Sequence, residues 1–287
     1  MSGRDGAEGA GQDAGESEEA GIGTRPDPGV RRGLGGETPL GTTGAEAVKA
    51  EPLRPPLPKR FYRSAEAGAG VAPYRVLLDG RPLRTPGKRV LALPTLALAE
   101  AIAAEWDAQG AVVDPATMPL TRMANTTLDG VVGNENRIRA DIAAYAMSDL
   151  VCYRADGPEE LARRQAECWD PVARWAAARL GAPLALAAGL MPVAQSEAVR
   201  AGVLAALAPV DAFRLTALHV MTTLTGSALV ALAVIERRLS AEAAWTAAHV
   251  DEDFQASQWG ADAEATLRRA ARQAEMLAAA RLLGLVD

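Results

Sequence analysis

Aromatic side chains are scarce: five Trp, four Tyr and three Phe make up 4% of 287 residues. So few large rings exclude a core built on aromatic stacking, and the abundant alanine favours closely packed helices instead. Cysteine is limited to Cys152 and Cys168, whose spacing fits neither a zinc knuckle nor a CxxC redox pair. A reducing compartment is the simplest setting for such a chain. Histidine occurs twice, at His219 and His249, each inside an apolar helical run and without metal-ligand spacing. A structural role is the expected one for both.

Long hydrophobic runs are also missing. No stretch approaches the roughly twenty apolar residues needed to span a bilayer, so no membrane insertion is expected. The N-terminus lacks a basic segment followed by an apolar one, and it carries Asp5, Glu8, Asp13, Glu16, Glu18 and Glu19. It therefore reads neither as a secretory signal nor as a transit peptide, and the cytoplasm is the expected location. Lys/Arg blocks are absent too. The formal net charge is -6, and the pairs Arg163-Arg164, Arg237-Arg238 and Arg268-Arg269 lie far apart on helical segments. Nucleic acid is not expected as the main partner.

What is present changes character along the chain. Residues 1–58 are rich in Gly, Ala, Glu, Asp and Pro with few large apolar side chains, which predicts a disordered acidic tail. Residues 59–130 predict a β-rich domain with one helix. Tyr74 to Leu78 alternates, Asp79-Gly80 is a hairpin turn signal, and strands are expected at 81–85 and 89–93. Phe61 to Ser64 offers a first strand before a Gly/Ala loop at 65–70. Pro94 then opens a helix whose Leu96, Leu98, Ile102 and Trp106 share one apolar stripe. Residues 112–127 read as irregular or short extended structure. Residues 131–287 predict a helical domain, with helices near 134–148, 158–180, 194–208, 211–237, 240–257 and 262–284. The fold class expected is α+β.

No nucleotide-binding glycine loop, GxSxG elbow or HExxH zinc motif occurs, so neither a cofactor nor a small-molecule substrate is expected. The densest acidic cluster is Asp251-Glu252-Asp253. It lacks the glycine turn and alternating ligands of a calcium loop, and consecutive helical residues point apart, so no metal is expected. Asp251 and Asp253 read as solvated flanks. Positions 245, 248, 252, 255 and 259 are spaced by three and four, which predicts a stripe of Trp245, Ala248, Glu252, Gln255 and Trp259. Val250 and Phe254 face the other way. A carboxylate and an amide between tryptophans suit an interface; a buried Glu252 paired with an internal arginine is the equal alternative.

Several blocks in order resemble the F1-ATPase assembly chaperones of the ATP-twelve type. They begin with Lys59-Arg-Phe-Tyr62 and the run from Tyr74 to Pro86, and continue through Leu98 to Gln109 with its Glu-Trp106-Asp core. Met118-Pro-Leu-Thr121, Asn125, Asp129, Tyr145, Ser148-Asp149, Tyr153 and Arg154 follow. Gln165, Trp169-Asp170-Pro171, Trp175, Glu252-Asp-Phe-Gln255 and Trp259-Gly260 complete the pattern. Asp251 and Asp253 depart from it, standing where relatives often carry Glu, and the long acidic tail has no counterpart. The resemblance implies a chaperone that holds the unassembled alpha subunit of F1 until it meets beta, with no hydrolysis. It assigns the family's important acid to Glu252, less securely to Asp253, and makes Trp106, Trp169, Asp170 and Pro171 structural.

Two other readings compete with it. One is a carboxylate-dependent hydrolase pairing Glu252 with Asp149 or Asp170 across a cleft. The other is a helical adaptor for an unrelated protein.

Overall fold

One tight turn organises the first sheet of the computed structural model, which describes residues 56–189, 192–260 and 262–287. Asp79 and Gly80 take φ of 48° and 77°, the left-handed pair that a two-residue hairpin requires. The turn joins β2 (Tyr74–Leu78) to β3 (Arg81–Pro82), with Leu78 opposite Arg81. The far end of β2 pairs with β4 (Ala92–Leu93), and its other edge takes β1 (Ala65–Ala67), all antiparallel. The acidic tail expected at residues 1–58 lies outside the described residues as far as residue 55.

The first strand is displaced from its expected place. It occupies Ala65–Ala67, inside the segment read as a loop, and Phe61 to Ser64 is not a strand. The cause is the Asp79 carboxylate, which accepts from the backbone N–H of Arg63 and Ser64 at 3.0 and 2.9 Å. These amides are taken by a side chain, so ladder pairing begins only at Ala65.

Thr95, not Pro94, caps α1 (Leu96–Asp107), its hydroxyl accepting from Leu98 N–H at 3.2 Å. The buried face is Leu98, Ala99, Ile102 and Ala103, while Leu96 is exposed and Trp106 only partly covered. Residues 112–127 are not irregular throughout. They contain α2 (Pro119–Thr126), so the 59–130 segment holds two α-helices instead of one. Glu105 explains this: its carboxylate accepts from the N–H groups of Leu120 and Thr121, both at 2.8 Å, and caps α2 from another helix.

The helical remainder comprises α3 (Glu135–Ala146), α4 (Glu159–Leu180), α5 (Glu197–Leu207), α6 (Ala212–Thr225), α7 (Ala228–Ile235), α8 (Ala241–Ala248), α9 (Val250–Trp259) and α10 (Ala263–Leu285). Between α3 and α4, Tyr153–Arg154 forms β5, which pairs in parallel with β6 (Ala187–Ala188). The architecture is α+β as expected. Two expected helices are each divided. The 211–237 segment breaks at Gly226, whose φ of 68° closes α6, after which Ser227 caps α7. The 240–257 segment breaks at His249. Helix α7 is buried from Ala228 to Val234, and α10 packs across α6, α2 and α8 to reach α1. Apolar burial is continuous from Tyr62 to Val286, so sheet and helices share one core.

Candidate interaction surface

The break at His249 sets the geometry of the acidic segment. Ser240 caps α8 by accepting from Ala243 N–H at 3.1 Å, and the helix closes where His249 leaves helical geometry at φ -119°. The His249 ring stacks on Trp245 at 3.7 Å, and its Nδ1 lies 2.8 Å from the Trp245 carbonyl oxygen. A carbonyl can only accept, so Nδ1 carries the proton. Burial holds the His249 pKa below its usual value, and the ring is neutral near pH 7. Helix α9 then starts afresh, with Asp251, Glu252 and Asp253 in its first turn, where its dipole favours carboxylates.

A continuous stripe from Trp245 to Trp259 therefore does not exist. Trp245 is 4% exposed and belongs to the core, which withdraws it from any surface role in this conformation. Heptad-like spacing implies a shared face only along an unbroken helix, and here the helix restarts between the two tryptophans.

The three acids separate by partner. Asp251 accepts from Gln165 Nε2 at 2.7 Å, and the buried Gln165 accepts in turn from Ala155 N–H at 2.7 Å. Asp253 pairs with Arg269 of α10 at 2.5 Å. Glu252 is the acid left to solvent: its side chain is 55% exposed and 3.9 Å from the neutral His249 Nε2. Among the described residues no arginine lies within ion-pair distance of it, so the buried and internally paired Glu252 is not what the fold contains. Asp251 is a structural ligand of α4 and not a solvated flank.

Beyond Glu252, α9 presents Gln255 and Trp259 outward, and Trp259 is 79% exposed. Phe254 points inward, with the Arg164 guanidinium 5.5 Å above its ring. Gly260, at φ 82°, ends α9, and Asp262 caps α10 through Ala265 N–H at 2.8 Å. The two helices enclose an open groove of about 490 Å³. Glu252, Gln255 and Trp259 form one wall; Arg268, Arg269 and Arg272 form the other. An exposed indole at one end of a groove and a solvent-facing carboxylate at the other, opposite guanidinium groups, can bind a protein surface by burial and charge pairing.

The family-motif residues support this surface from below. Trp169 is buried and donates its indole N–H to the Ala247 carbonyl at 2.6 Å. Asp170 pairs with Arg154 at 2.8 Å, and the same guanidinium lies 5.3 Å over the Trp169 ring. Pro171 sits within α4, which runs through it unbroken. None of these contacts was readable from spacing. Trp106 is far from α9 in the chain and packs on Tyr62, whose hydroxyl donates to the Trp106 carbonyl at 2.6 Å.

The acids that the hydrolase reading pairs with Glu252 each have partners of their own. Asp149 is fully buried at the N-terminus of α7, accepting from Ser227 Oγ at 2.5 Å and Leu229 N–H at 3.0 Å. Asp170 is held by Arg154. Among the described residues no three His, Cys, Asp or Glu side chains cluster as metal ligands, and no helix is long and apolar enough to cross a membrane.

Residues 59–177 match the sequence pattern of the family described as ATP12 chaperone protein. The fold matches the crystal structure of Atp12 from Paracoccus denitrificans with a TM-score of 0.75 at 46% identity, over 80% of this chain and 99% of that one. The chain belongs to the ATP12 chaperone family. An Agrobacterium tumefaciens structure, named as a candidate chaperone, superposes at TM-score 0.77 and 44% identity, covering 82% of this chain and 88% of that chain. The mitochondrial atp12 protein of Schizosaccharomyces pombe is 22% identical over 223 residues, 74% of this chain and 77% of its own length. The ordered motifs of the sequence thus pointed to the right family.

Proposed function

We propose that this ATP12-family chaperone serves ATP synthase assembly by binding the unassembled alpha subunit of F1 through the α9–α10 surface. The observation that carries the reading is Trp259, a large indole left exposed at the last residue of α9, on the same groove that the solvent-facing Glu252 lines from the first turn, where Asp251 and Asp253 tie the helix to its neighbours. Exposed tryptophan on a rigid support is the usual form of an interface anchor. The client contacts are assigned to Glu252, Gln255 and Trp259, with Asp253 supporting them through Arg269.

The mechanism is mass action. The chaperone covers an interface of alpha that would otherwise aggregate and is displaced when beta, with more complementary surface, arrives. It needs no bound cofactor and breaks no covalent bond. The reading places the protein in the cytoplasm, a reducing setting that suits its two free thiols.

Capture of purified alpha subunit on immobilised full-length protein tests this reading. Wild type should retain alpha, and Trp259→Ala and Glu252→Ala should each lose most of that capture. Failure of a folded wild-type bait to retain alpha would favour the adaptor reading, with a different client.

A further inference from the structure

A second groove, of about 660 Å³, opens beside the first sheet, remote in sequence from α9 and α10. Its lining includes Tyr62, Leu78 and Leu83, whose side chains are otherwise in the core, and Phe61, which is 71% exposed. The Phe61 ring stands edge-on to Tyr62 at 5.3 Å, so it is seated by contact while open to solvent. Trp106 also lines the groove. Its indole N–H is buried with no acceptor among the described residues.

The rim is basic. Arg81 and Arg84 are exposed there; Arg84 donates to the Lys88 carbonyl at 2.8 Å, and neither makes an ion pair among the described residues. Asp79, the acid on this rim, already accepts from the amides of Arg63 and Ser64. The surrounding segment has the same bias. Residues 56–93 carry eight Lys or Arg against two Asp or Glu, a net charge of +6 in a chain whose total is -6. Such a concentration of one sign steers and retains the opposite one.

We propose that this groove is a second docking surface, which takes an extended acidic segment of a partner protein bearing a large apolar side chain. The apolar side chain seats against Phe61 and Leu83, and carboxylates meet Arg81 and Arg84. The α9–α10 groove also carries arginines, so the Trp259 variant below separates the two surfaces. The proposal extends the chaperone reading, but its chemistry does not require the partner to be the alpha subunit.

A short fluorescein-labelled peptide alternating aspartate and leucine, and its lysine-for-aspartate counterpart, test this on the full chain by anisotropy. The acidic peptide should bind saturably and the basic one should not. Binding of the acidic peptide should weaken at least about tenfold in Arg81→Glu with Arg84→Glu and remain unchanged in Trp259→Ala. The Trp106 indole N–H resonance should shift on titration, which a merely structural role would not produce. Circular dichroism and melting check that the variants, changed at exposed positions, stay folded. Equal binding of both peptides, or tolerance of the double charge reversal, would overturn the proposal. So would loss of binding in Trp259→Ala, which would put the acidic segment on α9–α10. An indole shift already saturated in the free chain and released by high salt would assign the groove to the chain's own acidic N-terminal sequence, overturning the partner assignment. No arm uses the alpha subunit, so failure here leaves the client reading to its own capture test.

Discussion

Trp169 on α4 donates its indole N–H to the carbonyl of Ala247 in the last turn of α8, at 2.6 Å and out of solvent. This bond holds the end of α8, where the chain turns at His249 and launches α9 with its exposed face. The orientation of the candidate surface therefore depends on a residue that never touches a client. Trp169→Phe keeps most of the ring and removes the donor, leaving the Ala247 carbonyl unpaired. Urea denaturation should show a loss of about 1–3 kcal/mol. Trp169→Ala should lose more, about 3–5 kcal/mol, because a cavity opens as well.

Asp251 and Glu252 are neighbours with opposite expected behaviour. Asp251→Ala breaks the bond to Gln165 and should lower stability by about 1–2 kcal/mol, with a visible fall in melting temperature. Glu252→Ala removes an exposed carboxylate and should change stability by no more than about 0.5 kcal/mol. A differential melting experiment on the two variants separates the structural acid from the surface one.

Asp149 makes stability depend on pH in the direction opposite to most carboxylates. Burial, only partly offset by hydrogen bonds from Ser227, Leu229 and Val151, raises its pKa from 3.8 to about 6. The folded state therefore holds the proton more tightly than the unfolded state. This contribution is fully present below about pH 4 and is lost as pH rises through about 6, an effect on the order of 3 kcal/mol. Asp149→Asn cannot titrate. Denaturation at pH 5 and pH 7 should show a steeper loss on going to pH 7 in wild type than in the variant. The variant should be weaker at both values, because its amide group cannot accept from every donor around it.

Helices α4 and α5 touch where Gly202 passes the backbone of Leu180. A Cβ at position 202 would stand 2.6 Å from the Leu180 carbonyl oxygen, and backbone cannot swing aside. Gly202→Ala should destabilise by about 1–3 kcal/mol despite its higher helix propensity, measurable by urea denaturation.

The hairpin at Asp79-Gly80, the position of α1 and the long helices α4 and α10 were legible because each is written in local sequence: a turn dipeptide, a cap, a period. What was missed depends on partners distant in the chain. Helix α2 is short and is capped by Glu105 from α1, so its own residues read as irregular. Strand β1 starts late because Asp79 takes the amides before it. At the site, Asp251 and Asp253 have internal partners that spacing could not reveal, while Glu252 faces solvent. Trp245 does not share that face, because the stripe presumed one helix where His249 makes two. A histidine following an alanine-rich segment carries no local signal for such a break; its stacking on Trp245 and its bond to the Trp245 carbonyl are tertiary and backbone geometry.

Whether Glu252 and Trp259 contact the alpha subunit is decided by titrating purified alpha into wild type and Trp259→Ala and comparing Kd. The variant should bind at least about tenfold more weakly, equivalent to roughly 1.4 kcal/mol, with its melting temperature unchanged. Equal Kd values for the two folded proteins would contradict it.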